Sequence, residues 1–267
     1  MWRFSRPSLR VGLAPESLTI HASPGAPIEV PIDAGAHGER WQVATEAFAQ
    51  AMAGEPAWKG ATVKIALSHR WVRFFTVPWH DDLMQADSAR SYVARFYAAV
   101  CGDGADSGAT FAIEQGGRGQ PRNVCAIDSQ LMTACADALR AANARLAWLG
   151  PWLVPAIARS RQLGDKGRGD GWFVTVEPGT LTLATVTANA VRQVQVHSCE
   201  SDWSSAVLRE VRRAGLREGR PNGQPIWIAS LLPLPAGVAN LPETMNVVET
   251  GSSPCDPSFG HLAGVLA

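Results

Sequence analysis

Short apolar runs with strand-like alternation open the chain. Arg10 to Leu13 predicts one strand, Ser17 to His21 a second behind the turn Ala14-Pro15-Glu16, and Ile28 to Ile32 a third after Ser23-Pro24-Gly25. Trp41, Ala44, Phe48, Ala51 and Met52 then recur at helical spacing, with Gly54 and Pro56 closing the segment. Thr62 to Leu67 and Trp71 to Val77 are rich in β-branched and aromatic residues and predict a hairpin across Ser68-His69-Arg70, ended by Pro78. Leu83, Ala86, Tyr92, Val93, Phe96, Tyr97 and Val100 mark one side of a long helix that Asp81 or Asp82 would cap, with its exit loop at Gly102 to Gly108. Two strands follow, Thr110 to Glu114 and Val124 to Ile127. After them Asp128 or Ser129 would cap a helix carrying Leu131, Cys135, Leu139, Ala142 and Leu146.

Arg161 to Gly171 is the sharpest composition break, dense in glycine and charge, and predicts a linker at 161–171 between a first part at 1–160 and a second at 172–267. The second part restarts the opening pattern. Trp172 to Val176, Leu181 to Val186 and Val191 to Val196 predict three strands, Asp202 caps a helix with Trp203, Val207, Val211 and Ala214 on one side, and Ile226 to Ala229 and Asn246 to Glu249 predict further strands. A short terminal helix is expected at Pro257 to Ala267. Both parts therefore follow a β-β-β-α-β-α order, the first interrupted by an inserted hairpin-and-helix unit around 70–127. No local sequence repeat accompanies the duplication, which excludes a solenoid or propeller. Mixed sheets flanked by helices, an α/β class, are the expected architecture.

Composition narrows the function. Twenty-four Lys and Arg balance 24 Asp and Glu, leaving no broad basic field for nucleic acid or anionic lipid. The five cysteines are scattered with no Cys-x-x-Cys pair, which fits buried free thiols in a reducing compartment better than a disulfide scaffold or a zinc ribbon. The basic N-terminus lacks a following apolar run, and no stretch of about 18 apolar residues occurs, so the expectation is a cytoplasmic chain with no span of its own.

Four constellations invite chemistry. His80-Asp81-Asp82, with His69 nearby, offers metal ligands, but neighbouring residues on a helix point apart and the two aspartates suit a helix start. His197 and Cys199 sit two apart at a strand end, a poor nucleophile and base pair. Gly116-Gly117-Arg118-Gly119 joins two strands and so lacks the strand-to-helix setting of a phosphate cradle. Arg209, Arg212, Arg213, Arg217 and Arg220 are interspersed with Glu210 and Glu218 and read as a solvated face, with an acidic partner surface as the second reading. Ten tryptophans against two tyrosines exceed what a core absorbs, and Trp2, Phe4 and Trp79 are the expected partner-binding anchors.

Leu9-Arg10-Val11-Gly12-Leu13-Ala14-Pro15-Glu16-Ser17-Leu18-Thr19-Ile20 resembles the opening strand, turn and strand of the PilM and GspL-type assembly proteins of type IV pilus and type II secretion machines. Trp71 to Val77 with Pro78-Trp79 is similar to their strand leading into the inserted subdomain. Asn123 to Asp128, Leu149 to Ala158 and Phe259 to Ala267 resemble their later strand, their proline-marked return into the second domain and their closing Gly-Leu-Ala helix. The resemblance spans nearly the whole chain. It implies the two-domain actin-like (ribonuclease H-like) fold, a place at the cytoplasmic face of the inner membrane, and a PilN-like bitopic membrane protein as partner, whose cytoplasmic segment lies in a groove of the first domain. Contact with the assembly ATPase is a further implied partnership.

In active members of that superfold the two phosphate loops follow the opening strand of each half and are built on Asp-x-Gly, because a carboxylate holds Mg²⁺ and glycine lets backbone N–H groups approach phosphate. Here the first loop is Gly12-Leu13-Ala14-Pro15, with no Asp and with a residue lacking an N–H. The second, Glu177-Pro178-Gly179-Thr180, keeps a carboxylate, a glycine and a hydroxyl, though Pro-Gly also suits a plain type II turn. The adenine turn expected after Ile226 to Ala229 reads Ser230-Leu-Leu-Pro-Leu-Pro-Ala-Gly237 and is poor in glycine. Gly12, Glu177, Gly179 and Thr180 are thus the residues of a vestigial nucleotide site. The expected function is a non-catalytic scaffold with no required cofactor, the alternative being a weak Mg-ATP switch or ATPase.

Overall fold

Alternating burial drives the first sheet. On β1 (Ser8–Leu13) the side chains of Leu9, Val11 and Leu13 are buried against helices. β1 pairs antiparallel with β2 (Ser17–Ser23), which pairs with β3 (Ile28–Pro31), and parallel with β4 (Thr62–Leu67). β4 in turn pairs parallel with β8 (Arg145–Pro151), giving the order β3-β2-β1-β4-β8. Helices α1 (Trp41–Gly54) and α3 (Ser129–Ala141) cover this sheet, burying Phe48, Met52, Leu131 and Leu139 in one core with the strands. The computed structural model describes residues 7–23, 25–33, 41–102, 108–162, 170–187, 190–199, 202–220, 223–230 and 245–250.

The second sheet repeats the order. β9 (Gly171–Glu177), β10 (Thr180–Thr187) and β11 (Ala190–Ser198) meander, and β12 (Ile226–Ser230) and β13 (Met245–Thr250) add in parallel, giving β11-β10-β9-β12-β13. Helix α5 (Trp203–Glu218) packs Trp203, Val207 and Ala214 on one face. Its N-terminus is capped by Asp202, whose side chain accepts from the Ser205 N–H at 3.1 Å, as the sequence predicts. Helix α4 (Leu153–Gln162) joins the two halves, its Leu153, Ala156 and Ile157 packing with Ala66 of β4 and with Phe173, Ala184 and Trp227 of the second sheet.

A separate three-stranded sheet, β5-β7-β6, comprises β5 (Val72–Val77), β6 (Ala109–Ile113) and β7 (Arg122–Asp128). α2 (Ala86–Cys101) lies on it through an aromatic cluster in which Phe75 stacks on Tyr97 at 5.3 Å and on Phe96 at 6.2 Å. Three expectations are corrected here. The strands at 62–67 and 72–77 are not a hairpin, because β4 is claimed by two parallel neighbours and β5 pairs with β7 in the other sheet. The helix expected to run through Leu146 stops at Ala141, where Asn143 adopts φ 52° and the N–H groups of Asn143 and Ala144 bond back to Arg140 and Leu139, closing the helix and releasing β8. Neither Asp81 nor Asp82 caps α2. Asp81–Met84 form a 3-10 turn capped by His80, whose Nδ1 accepts from the Asp82 N–H at 3.2 Å, and α2 starts only after Gln85, which makes no side-chain cap.

Strand β9 begins at Gly171, inside the stretch expected to be linker. The terminal helix expected at 257–267 lies outside the described residues, as do Trp2 and Phe4.

Candidate functional site

The opening turns of the two halves meet at the junction between the sheets. The first closes on itself: the Ala14 N–H donates to Ser17 O at 3.0 Å, and Glu16 O accepts from the Ile32 N–H at 2.9 Å. Its carboxylate, Glu16, points outward and pairs with Arg70. The second turn is a hairpin in which Glu177 and Thr180 face each other across Pro178-Gly179, with Gly179 at φ 73°, a value that favours glycine.

Glu177 sits at the inner end of β9 and is only 1% exposed. A buried carboxylate needs donors for its lone pairs, and residues from the first half supply them. Ser68 Oγ donates to Oε2, and the His69 N–H donates to Oε1 at 3.0 Å. His69 Nδ1 lies 2.9 Å from the same Oε1. The opposite ring nitrogen, Nε2, accepts from the Leu153 N–H at 2.8 Å, at the start of α4. That bond places the ring proton on Nδ1, facing Glu177. The hydroxyls of Thr182 and Thr175 approach Nδ1 at 2.9 and 3.1 Å, while Trp152 stacks on the ring and Phe74 meets its edge. Burial pushes the Glu177 carboxyl up, but the His69 ring and the hydrogen bonds from His69, Ser68 and the His69 backbone outweigh it, holding the group below the ordinary glutamate value.

Gly12 and Glu177 do come together, on the wall of one cavity that Ala14, Ser68 and Trp152 also line. Its volume is about 20 Å³. That is room for about one water, whereas a small-molecule pocket commonly has several hundred Å³. Pro15 and Pro178 carry no N–H to offer a phosphate. Among the described residues, those that line this cavity do not fit a magnesium nucleotide. Gly179 and Thr180 line a second, much larger groove beside β11. Trp79 is half-buried beyond the end of β5, with the Arg122 guanidinium 5.5 Å from its ring centre.

The remaining constellations separate. His69 is buried in the junction, while His80 stacks on Tyr92 at 4.8 Å at the start of the 3-10 turn, and no cluster of three metal-ligating side chains occurs among the described residues. Cys199 is buried in the core under α5. Arg209 and Arg213 both pair with Glu210 at 3.0 Å. The sequence does not mark Ser68 or Trp152 as site residues and offers His69 only as a metal ligand. The available signal was a serine and a histidine between two strong strands, a turn too polar to be buried without a partner.

Solved structures match the fold over about nine-tenths of the chain. An actin-like ATPase-fold protein of unknown function from Bacteroides thetaiotaomicron superposes with a TM-score of 0.57 at 11% identity, covering 90% of this chain and 88% of that one. The fold is actin-like. A chain of the PilM–PilN type IV pilus biogenesis complex is similar with a TM-score of 0.54 at 15% identity, over 92% of this chain and 88% of that one. So is the cytoplasmic domain of EpsL, an inner-membrane component of the type II secretion system of Vibrio cholerae, with a TM-score of 0.52 at 15% identity over 90% and 85%. No protein-family model matches the chain, and no curated protein matches it. No helix among the described residues is long and apolar enough to cross a membrane.

Proposed function

We propose that this chain is a non-catalytic scaffold or adaptor of an inner-membrane assembly platform of the type IV pilus or type II secretion kind. The observation that carries the non-catalytic reading is Glu177: the carboxylate that would serve a metal and phosphate is instead consumed by Ser68 and His69 across the junction, beside a cavity of about 20 Å³. The likeness to the PilM–PilN and EpsL structures supports the assembly role, together with the sequence resemblance above. On this reading the protein works at the cytoplasmic face of the inner membrane and binds the cytoplasmic segment of a PilN-like bitopic protein, with the assembly ATPase as a second partner.

A groove of about 500 Å³ beside β6 and α2 suits that segment. Leu83, Phe111 and Ile113 give it an apolar lining, Met84 is 60% exposed there, and Arg122 links it to Trp79. Aromatic and methionine side chains at such a groove supply adaptable apolar contact.

The test is a thermal melt of the full chain with and without millimolar Mg-ATP, followed by titration with the cytoplasmic peptide of a PilN-like candidate. The expected results are an unmoved midpoint with nucleotide and saturable peptide binding that weakens in Trp79→Ala and Met84→Glu. A ligand at about 100 times its dissociation constant adds roughly 2.7 kcal/mol, several degrees in midpoint. A nucleotide shift of that size, abolished by Glu177→Ala, would establish the ATP switch instead.

A further inference from the structure

Arg122 opens β7 and lines the groove beside β6 and α2, yet the residue is only 4% exposed. It shares a sheet face with Val124 and with Val77, its partner on β5, both of which pack under α2. A guanidinium keeps its proton in a protein, so a buried one needs an anion or several acceptors to offset its lost hydration. Among the described residues its side chain has neither. Its neighbour is the ring of Trp79, whose centre is 5.5 Å away, an attraction that offsets the burial only in part. The carboxylates around the groove are directed to other groups. Glu114 is held by Asn123 Nδ2 at 2.7 Å, Asp81 pairs with Arg118 at 3.8 Å, Asp82 with Arg95 at 3.4 Å, and Asp87 with Arg90 at 4.0 Å. Asp103 and Asp106 lie outside the described residues and precede Ala109, which pairs with Asp128 at the far end of β7, about 20 Å along the strand from Arg122.

The glycine-rich turn after β6 makes room for this group. A Cβ at position 116 would overlap Arg122 Nη1, so Gly116 leaves the space in which the guanidinium lies. Beside it the wall is apolar, formed by Leu83, Met84, Phe111 and Ile113. A fixed cation next to an apolar wall selects a carboxylate with an apolar neighbour, whereas a free phosphate would leave the wall unused. We propose that Arg122 is the carboxylate receptor of this groove and takes an Asp or Glu side chain from a segment of a partner protein, whose adjacent apolar residue packs against Met84 and Phe111. For the identity of the partner this rests on the assembly reading; the acidic and apolar chemistry rests on Arg122 and its surroundings.

The probes are the labelled peptides acetyl-Ser-Leu-Glu-Leu-Ser-amide and its Glu→Gln counterpart, titrated against the full chain by fluorescence anisotropy. The expected result is saturable binding of the Glu peptide, about tenfold tighter than that of the Gln peptide. Gly116→Ala should weaken it about tenfold, because the added methyl group displaces the guanidinium while the charge of the chain is unchanged. Arg122→Met should abolish the preference for Glu and leave the urea midpoint equal to or above that of the parent, since it removes a buried charge that the fold does not pair. A structural arginine would behave in the opposite way. A lowered midpoint in Arg122→Met would show that an acceptor within the chain, including one outside the described residues, already satisfies the guanidinium, and would overturn the proposal. No saturable binding at millimolar Glu peptide, equal affinity for the two peptides, or affinity unchanged in Gly116→Ala and Arg122→Met would each overturn it as well. Binding of the Glu peptide with failure of every PilN-like peptide would leave the carboxylate site standing and remove the assembly reading. A PilN-like peptide that binds Arg122→Met as tightly as the parent would do the reverse.

Discussion

The two five-stranded sheets share one strand order, yet their opening turns do opposite things with a carboxylate. In the first half the turn after β1 is closed by its own backbone, and Glu16 leaves it toward solvent to meet Arg70. In the second half Glu177 is the last residue of β9 and points inward, where Ser68, His69 and the start of α4 form a polar network around it. The difference comes from position by a few residues. A carboxylate within the turn reaches water, whereas one on the final strand residue is carried into the junction and must be satisfied by protein. The sheets also differ in cover: β9 is buried along its whole length, because α5 packs on one face and α4 on the other, while β1 keeps partly exposed positions at its start.

Substitutions can break this asymmetry. The largest effect is expected from Glu177→Ala, which strands the Ser68 hydroxyl and the His69 N–H without an acceptor in the buried junction and leaves the His69 ring only the Thr175 and Thr182 hydroxyls. A loss of about 3 kcal/mol is expected, read as a lower urea midpoint. A loss below about 1 kcal/mol would show that the network is not holding the halves together. The same carboxylate makes stability pH-dependent. Its folded value lies below the ordinary glutamate value of 4.5, so the unfolded chain binds the proton more readily. The contribution is therefore fully present above that ordinary value and is lost as pH falls through the lower folded value. Urea titrations between neutral pH and pH 3 should show the parent chain losing more stability than Glu177→Gln, and parallel pH curves would contradict this.

Asp128 sharpens the comparison from the other side, since it belongs to the first half alone. Its side chain caps α3 by accepting from the Gln130 N–H at 2.7 Å and also accepts from Trp41 Nε1 at 3.2 Å. Asp128→Ala should cost about 1 kcal/mol in the same urea titration. Smallest of all should be Pro15→Ala, about 0.5 kcal/mol through the freer unfolded chain, because the first turn makes no side-chain contact comparable to that of Glu177. A Pro15→Ala effect as large as that of Glu177→Ala would erase the distinction between the turns.

Much of the fold was legible in sequence because its elements are locally determined. The three-strand meanders, the helix from Trp41 and the Asp202 cap all rest on periodicity or on a neighbouring backbone donor. What failed was partner choice. Thr62 to Leu67 and Val72 to Val77 read equally well as a hairpin, since nothing in either strand records that β4 has parallel neighbours on both sides. Helix α3 was extended too far because Asn143 in the left-handed region is a weaker stop signal than glycine. At the candidate site Gly12 and Glu177 line one cavity while Gly179 and Thr180 line another groove, and Ser68 and Trp152 carry no motif that marks them in the sequence.

The sequence by itself determined the duplicated α/β order and the departure of both turns from Asp-x-Gly, because those depend on side-chain period and on the presence or lack of a backbone N–H at a given residue. Only the tertiary structure decided what Glu177 does. Its partners Ser68, His69 and Leu153 are distant in sequence, and the energy of a buried carboxylate is set by which donors the packed chain brings within reach.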